Sequence, residues 1–292
     1  MPSSHVLPIR LLNINEDQLA SGRCSNVFRG TFRGKEVCVK RLRVDSTGSP
    51  EKVKKGHTHH TTVHRSPFAN LFQQMAYQEA MIRRRLKHAN VVPFIGVTFA
   101  PLQIISEWMS GGDLTTHIKS NPHRSRIALV SPSLTPTPRN VASAFSQLSD
   151  VAEGLNYLHQ CDVVHGDLKG VGGPSPPNNS LSYRSPQLNI VVDASGRAHI
   201  TGFSLARGQG ISEEVDATAS GTGRWTAPEI LQGRGAKSKQ ADVFSFAMVM
   251  VEVGLGRSVR DQPVTDCLHA RRRFSLAPLR STCIFLSRPY WP

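Results

Sequence analysis

The chain of 292 residues is poor in acidic residues, with 21 Asp and Glu against 35 Lys and Arg. It has no apolar run near the roughly 18 residues that cross a bilayer, so no membrane role is expected. Residues 1–10 lack the apolar stretch of a secretion signal. The five cysteines (Cys24, Cys38, Cys161, Cys267 and Cys283) form no CxxC pair and no even framework. That absence points to a reduced, intracellular and cytoplasmic setting. There is no internal repeat. Hydrophobic residues at 39% and charged residues at 19% are ordinary for a packed domain and exclude wholesale disorder.

A formal charge of +14 suggests a nucleic-acid partner. Its placement argues against one. Residues 254–292 alone hold seven Arg and two Asp, and no basic helix carries interleaved aromatics. His57, His59, His60 and His64 lie close together without Cys or acidic partners, which reads as a His-rich loop rather than a metal site.

What is present is a sequence of short strands followed by helices. Residues 27–31, 35–41, 91–97 and 102–107 read as strands, and 190–193 with 198–200 as a hairpin around Ser195-Gly196. In the second strand Val37 and Val39 face one way, Cys38 and Lys40 the other. Helices are expected at about 74–87, 148–159 and 241–253, the last apolar nearly all round and therefore buried. Glu79 falls on the apolar stripe of the first helix with Met75, Ile82 and Leu86. An inward carboxylate is costly unless a cation meets it, and Lys40 is the candidate.

Four motifs in order then carry a resemblance. Val37-Cys38-Val39-Lys40, His165-Gly166-Asp167-Leu168-Lys169, Thr226-Ala227-Pro228-Glu229-Ile230 and Asp242-Val243-Phe244-Ser245-Phe246 together resemble a protein kinase. The wording is most similar to tyrosine-kinase-like (TKL) proteins of fungi. The resemblance implies an α+β, two-lobed fold: a β-rich lobe with one helix over about 10–105, and a helical lobe from about 110 that stops at 253. It implies ATP and Mg2+ as cofactors, and a protein substrate or signalling partner bearing Ser/Thr, or Tyr, hydroxyls. By the same resemblance Lys40, paired with Glu79, holds the α- and β-phosphates. Asp167 accepts the substrate proton, Lys169 sits beside the transferred phosphate, and Asn189 binds magnesium. Gly22 and Val27 belong to the glycine-rich loop. Ser106 takes the gatekeeper place, with Glu107 to Met109 as the adenine-reading hinge. Residues 222–229 shape the peptide-docking surface, and Ser212, Thr218, Ser220 and Thr222 fall in the activation segment.

The pattern also breaks. Ala20, Gly22, Ser25 and Val27 stand where G-x-G-x-x-G-x-V is expected. Arg83 stands where an apolar residue packs, and Gly166 where an arginine is usual. Gly202-Phe203-Ser204 replaces D-F-G, removing a magnesium ligand, and Asp216 is too far along to replace it. Impaired phosphotransfer is therefore expected, with a nucleotide-binding or scaffolding pseudokinase as the alternative. The lobe ending at 253 leaves Glu229 as a buried charge without its partner, and leaves apolar surface on 241–253 uncovered.

Segments 56–74, 130–147 and 171–187 interrupt the motif order, and 254–292 has no periodicity. Removing 171–187 restores H-x-D-L-x-x-x-N with Asn189 in the metal-ligand place. Both 130–147 and 171–187 begin with Val and end with Gln, whose codons can supply the GT and AG ends of an intron. They read as translated introns, the alternative being genuine surface loops. Sequencing the mRNA across codons 120–260 is expected to show a transcript without both segments; a translated transcript that keeps them makes them loops.

Overall fold

A computed structural model describes residues 5–21, 25–43, 67–120, 138–170, 189–208 and 225–255. The His cluster, Gly22, the four activation-segment hydroxyls, residues 171–187 and nearly all of 254–292 lie outside these. The first lobe is a five-stranded antiparallel sheet in the order β1-β2-β3-β5-β4. Its strands are β1 (Leu12–Ser21), β2 (Ser25–Phe32), β3 (Lys35–Leu42), β4 (Phe94–Phe99) and β5 (Leu102–Glu107). Arg33 and Gly34 turn β2 into β3, both with φ positive. Alternation along β3 puts Val37 and Val39, both fully buried, in a core with Leu12, Phe28, Phe32 and Ile105. Helix α1 (Pro67–Arg83) packs on the other face, where Ala76 and Ala80 meet Val97, Leu102 and Ile104.

The second lobe holds α2 (Leu114–Ser120), α3 (Pro138–Gln160), α4 (Pro228–Leu231) and α5 (Lys239–Leu255). A small sheet of β6 (Gly112–Asp113), β7 (Ile190–Val192) and β8 (Ala198–Ile200) faces the cleft. Leu148, Val151, Leu155 and Leu158 of α3 pack with Ile190, Ile200, Leu168, Phe203 and the buried face of α5. The two lobes and their mixed content are the α+β kinase-like architecture that the motifs imply.

Several bounds move. The first helix starts at Pro67 rather than 74 and ends at Arg83 rather than 87; α3 starts at Pro138 rather than 148. Helix therefore runs into two segments set apart by composition. Gln147, the last residue of one, is buried and donates to the Gly196 carbonyl at 3.2 Å. Helix α5 is not buried all round. Ala241, Met248, Val249 and Val253 enter the core, while Met250 is exposed. Glu229 is only partly buried, so it does not carry the desolvation cost expected of it. Strands β1 and β6, and helices α2 and α4, were not expected from the pattern.

Asp193 pins the β7–β8 turn. It accepts from the Ser195 backbone N–H (2.8 Å) and hydroxyl (2.6 Å), the Arg197 N–H (3.0 Å) and His199 Nε2 (3.0 Å). Burial alone would raise its pKa, but these donors outweigh it and hold the carboxyl down to about 2. A carboxylate with a lowered folded pKa stabilises above its unfolded pKa and stops doing so as pH falls through the folded value. Thermal melts are expected to show this contribution fading between about pH 4 and pH 2, with a flatter acid limb in Asp193→Asn.

Candidate active site

Strand β3 and helix α1 meet over an ion pair. Lys40 Nζ donates to Glu79 Oε2 at 2.6 Å, and Glu79 is 3% exposed. The inward carboxylate thus has the cation its position demanded. Arg83, one helical turn on, is also buried, with Nη1 3.8 Å from Glu79 Oε1. Its guanidinium lies 5.8 Å from the ring centroids of both Phe94 and Phe203. Its Nε and Nη2 meet no hydrogen-bond acceptor among the described residues. Burial lowers the pKa of Arg83, opposed by the nearby Glu79 carboxylate.

Across the cleft, the turn at 165–169 is fixed by one carboxylate. Asp242, in the first turn of α5, accepts from the backbone N–H of His165 and of Gly166, both at 2.8 Å. His159 Nε2 lies 3.0 Å from the same carboxylate. His165 Nε2 reaches the Thr201 carbonyl at 2.8 Å, while its Nδ1 accepts from the Asp167 N–H at 3.3 Å. Its ring packs edge-on against Phe203 at 5.3 Å. Gly166 has φ of +75°, and a Cβ there would meet the Leu205 carbonyl and the stem of Lys237, each at 2.8 Å. That crowding admits no larger residue without rearrangement.

Asp167 and Lys169 pair at 2.8 Å, with Lys169 3% exposed. Asn189 Nδ2 donates to the Asp167 carbonyl and to Asp167 Oδ2, the latter at 3.1 Å. Asn189 therefore returns to Asp167 despite the 171–187 segment between them. Gly202 adopts φ of +80°, and a Cβ built there would lie 1.8 Å from Asn189 Oδ1. The Asn189 amide fills the place where a side chain at 202 would begin.

A cavity of about 300 Å³ joins these groups. Of the candidate residues, Val27, Lys40, Glu79, Ser106, Glu107, Met109, Asp167 and Asn189 line it. Lys169 stands behind Asp167, and Gly22 is outside the described residues. Its inner wall is Cys38, Arg83, Thr201, Gly202 and Ser204. Burial pushes the Cys38 thiol up despite Arg83 nearby, which keeps it protonated and weakly nucleophilic. Arg83 was visible in the sequence only as a misfit. Its inward position follows from the i, i+4 spacing to Glu79.

The fold and cleft define a protein kinase domain. A family model described as protein tyrosine and serine/threonine kinase matches residues 14–171 and 186–272, and the chain belongs to that family. The chain is 32% identical over 256 residues to probable serine/threonine-protein kinase roco7 of Dictyostelium discoideum, covering 85% of this chain and 8% of that protein. It is 28% identical over 242 residues to serine/threonine-protein kinase STY46 of Arabidopsis thaliana, covering 82% and 33%. It is 28% identical over 246 residues to serine/threonine-protein kinase CTR1 of the same plant, covering 83% and 24%. The chain thus spans about a third or less of these relatives. No helix among the described residues is long and apolar enough to cross a membrane.

Replacing Asp242 by Ala leaves the buried His165 N–H, the part-buried Gly166 N–H and His159 without their acceptor. The expected cost is about 3 kcal/mol or more, read as a lower melting temperature. A melt unchanged from wild type would show that the 165–167 turn is held by other contacts.

Proposed function

We propose that the chain transfers phosphate from ATP to serine or threonine hydroxyls of a protein, slowly. The arrangement of Lys40 on Glu79, facing Asp167 on Lys169 across one cavity, carries this reading. Lys40 is tethered by Glu79 at 2.6 Å, so its ammonium is positioned in advance, which lowers the cost of meeting a phosphate. The Asp167 carboxylate is held in place by the Lys169 ammonium at 2.8 Å and by the Asn189 amide at 3.1 Å. It is therefore ready to take the proton of an incoming hydroxyl. Lys169 in turn offers charge where the transferred group passes. Glu107 to Met109, leaving β5 along the rim, present backbone to the adenine.

The family uses ATP with magnesium, which neutralises phosphate charge. Here position 202 offers no carboxylate and Asn189 is engaged with Asp167, so no step is assigned to the metal. That lack is the reason for the low rate. The relatives named above are serine/threonine kinases, which supports those hydroxyls over tyrosine. A protein substrate met inside the cell, in the cytoplasm, completes the proposal. The interruption of the family match between 171 and 186 supports reading 171–187 as an insert in the domain.

Transfer from radiolabelled ATP to a mixed Ser/Thr peptide library tests the proposal. Wild type is expected to give slow incorporation that Asp167→Asn abolishes. Gly202→Asp is expected to raise the rate about tenfold or more in magnesium, because aspartate tolerates the left-handed backbone once Asn189 rotates away. Wild-type incorporation no greater than that of Asp167→Asn rules out phosphotransfer.

A further inference from the structure

The phosphate end of the cleft has a donor set that does not suit a divalent cation. Gly202 has no side chain, and Asn189 Oδ1 occupies the space in which one would start. The Asn189 amide hydrogens go to Asp167, and Asp167 is already matched by Lys169. Among the described residues no group of three or more His, Cys, Asp or Glu is placed to hold a metal ion.

The same end has cationic character instead. Lys40 and Arg83 share the single carboxylate Glu79, at 2.6 and 3.8 Å. Arg83 is 4% exposed, lines the cavity with Gly202 and Ser204, and packs over the ring of Phe203, the neighbour of Gly202. Two of its three nitrogens meet no acceptor among the described residues. A buried guanidinium in that state has lost water and gained only part of a partner. An anion entering the cavity would supply the missing acceptors through charge-assisted hydrogen bonds. A divalent cation would enter beside two fixed positive charges.

We propose that Lys40 and Arg83 bind the phosphates of a nucleotide without a divalent cation. This rests on the reading that the cleft takes ATP, and extends it by replacing the metal with a side chain. Arg83 then has a role that no apolar residue could fill at that position. Its guanidinium lies over the rings of both Phe94 and Phe203, away from solvent.

The test is a titration of the full chain with a fluorescent ATP analogue, once in chelator and once in millimolar magnesium. The two dissociation constants are expected to agree within about threefold. Arg83→Met, which keeps length and apolar packing, is expected to weaken binding in chelator by about tenfold or more. Competition by unlabelled ATP and by adenosine in chelator reads the phosphates directly on wild type, with ATP expected to bind tighter. Wild-type binding that chelation weakens by about tenfold or more overturns the inference. So does Arg83→Met binding as wild type does, or adenosine competing as well as ATP. If Arg83→Met does not fold, the comparison of ATP with adenosine decides alone. Binding of neither ATP nor adenosine in either buffer overturns the nucleotide reading along with this one. Metal-independent ATP binding without phosphotransfer supports this inference while removing the transfer.

Discussion

Glu79 is the charge on which both lobes depend. Its burial forces the chain to bring cations to it, and two arrive from different elements, Lys40 from β3 and Arg83 from α1 itself. Lys40 ties the sheet to the helix. Arg83 continues a column of rings and guanidinium from Phe94 of β4 through Phe203 to His165 of the turn at 165–169. That column links α1 to the turn that carries Asp167. A column with a charged member is less tolerant of displacement than an apolar one, because any gap beside the guanidinium exposes an unmatched charge to low dielectric.

The same logic explains why one glycine changes the character of the cleft. At Gly202 the backbone takes the left-handed conformation, and the missing side chain lets the Asn189 amide move in against Asp167. Loss of one carboxylate therefore does more than subtract a negative charge. It lets the Asn189 amide oxygen take up the space where that side chain would begin, and it leaves the surplus positive charge of Lys40 and Arg83 facing the cavity. Changes at 202, 189 and 83 are coupled for this reason and would not add as independent sites.

The charged parts of the site were legible in the sequence by two routes, a broken local pattern and a motif resemblance. Glu79 is polar on an apolar stripe, and Asp167 sits in a turn with four motif residues around it. Strands β5 and β8 were also legible, β5 around its apolar Ile104-Ile105 pair and β8 from the Ser195-Gly196 turn before it. The starts of α1 and α3 were not. Their first turns lie in segments whose Ser, Pro and His content signals loop, although the residues nearest the packed helices, such as Ala69 to Gln74 and Val141 to Gln147, include good helix formers. Strand β1 was hidden by its polarity: Asn13 and Gln18 pair with Thr31 and Phe28 of β2, while residues 15–17 fall in an irregular stretch between them. The clash awaiting any side chain at 202 could not be read from spacing at all. It depends on a rotamer of Asn189 set by Asp167.

The clamp at Asp242 has a temporal consequence. His165 and Gly166 are held by a carboxylate 76 residues or more further along the chain. During synthesis the cavity-lining residues Lys40, Glu79, Arg83, Asp167, Asn189 and Gly202 all emerge before the group that orders the turn carrying Asp167. Non-local closure of that kind is slow compared with helix or hairpin formation. The nascent chain can therefore build its sheet, and even pair Lys40 with Glu79, while the turn stays unset. Ordering of the turn that carries Asp167 waits on the arrival of α5.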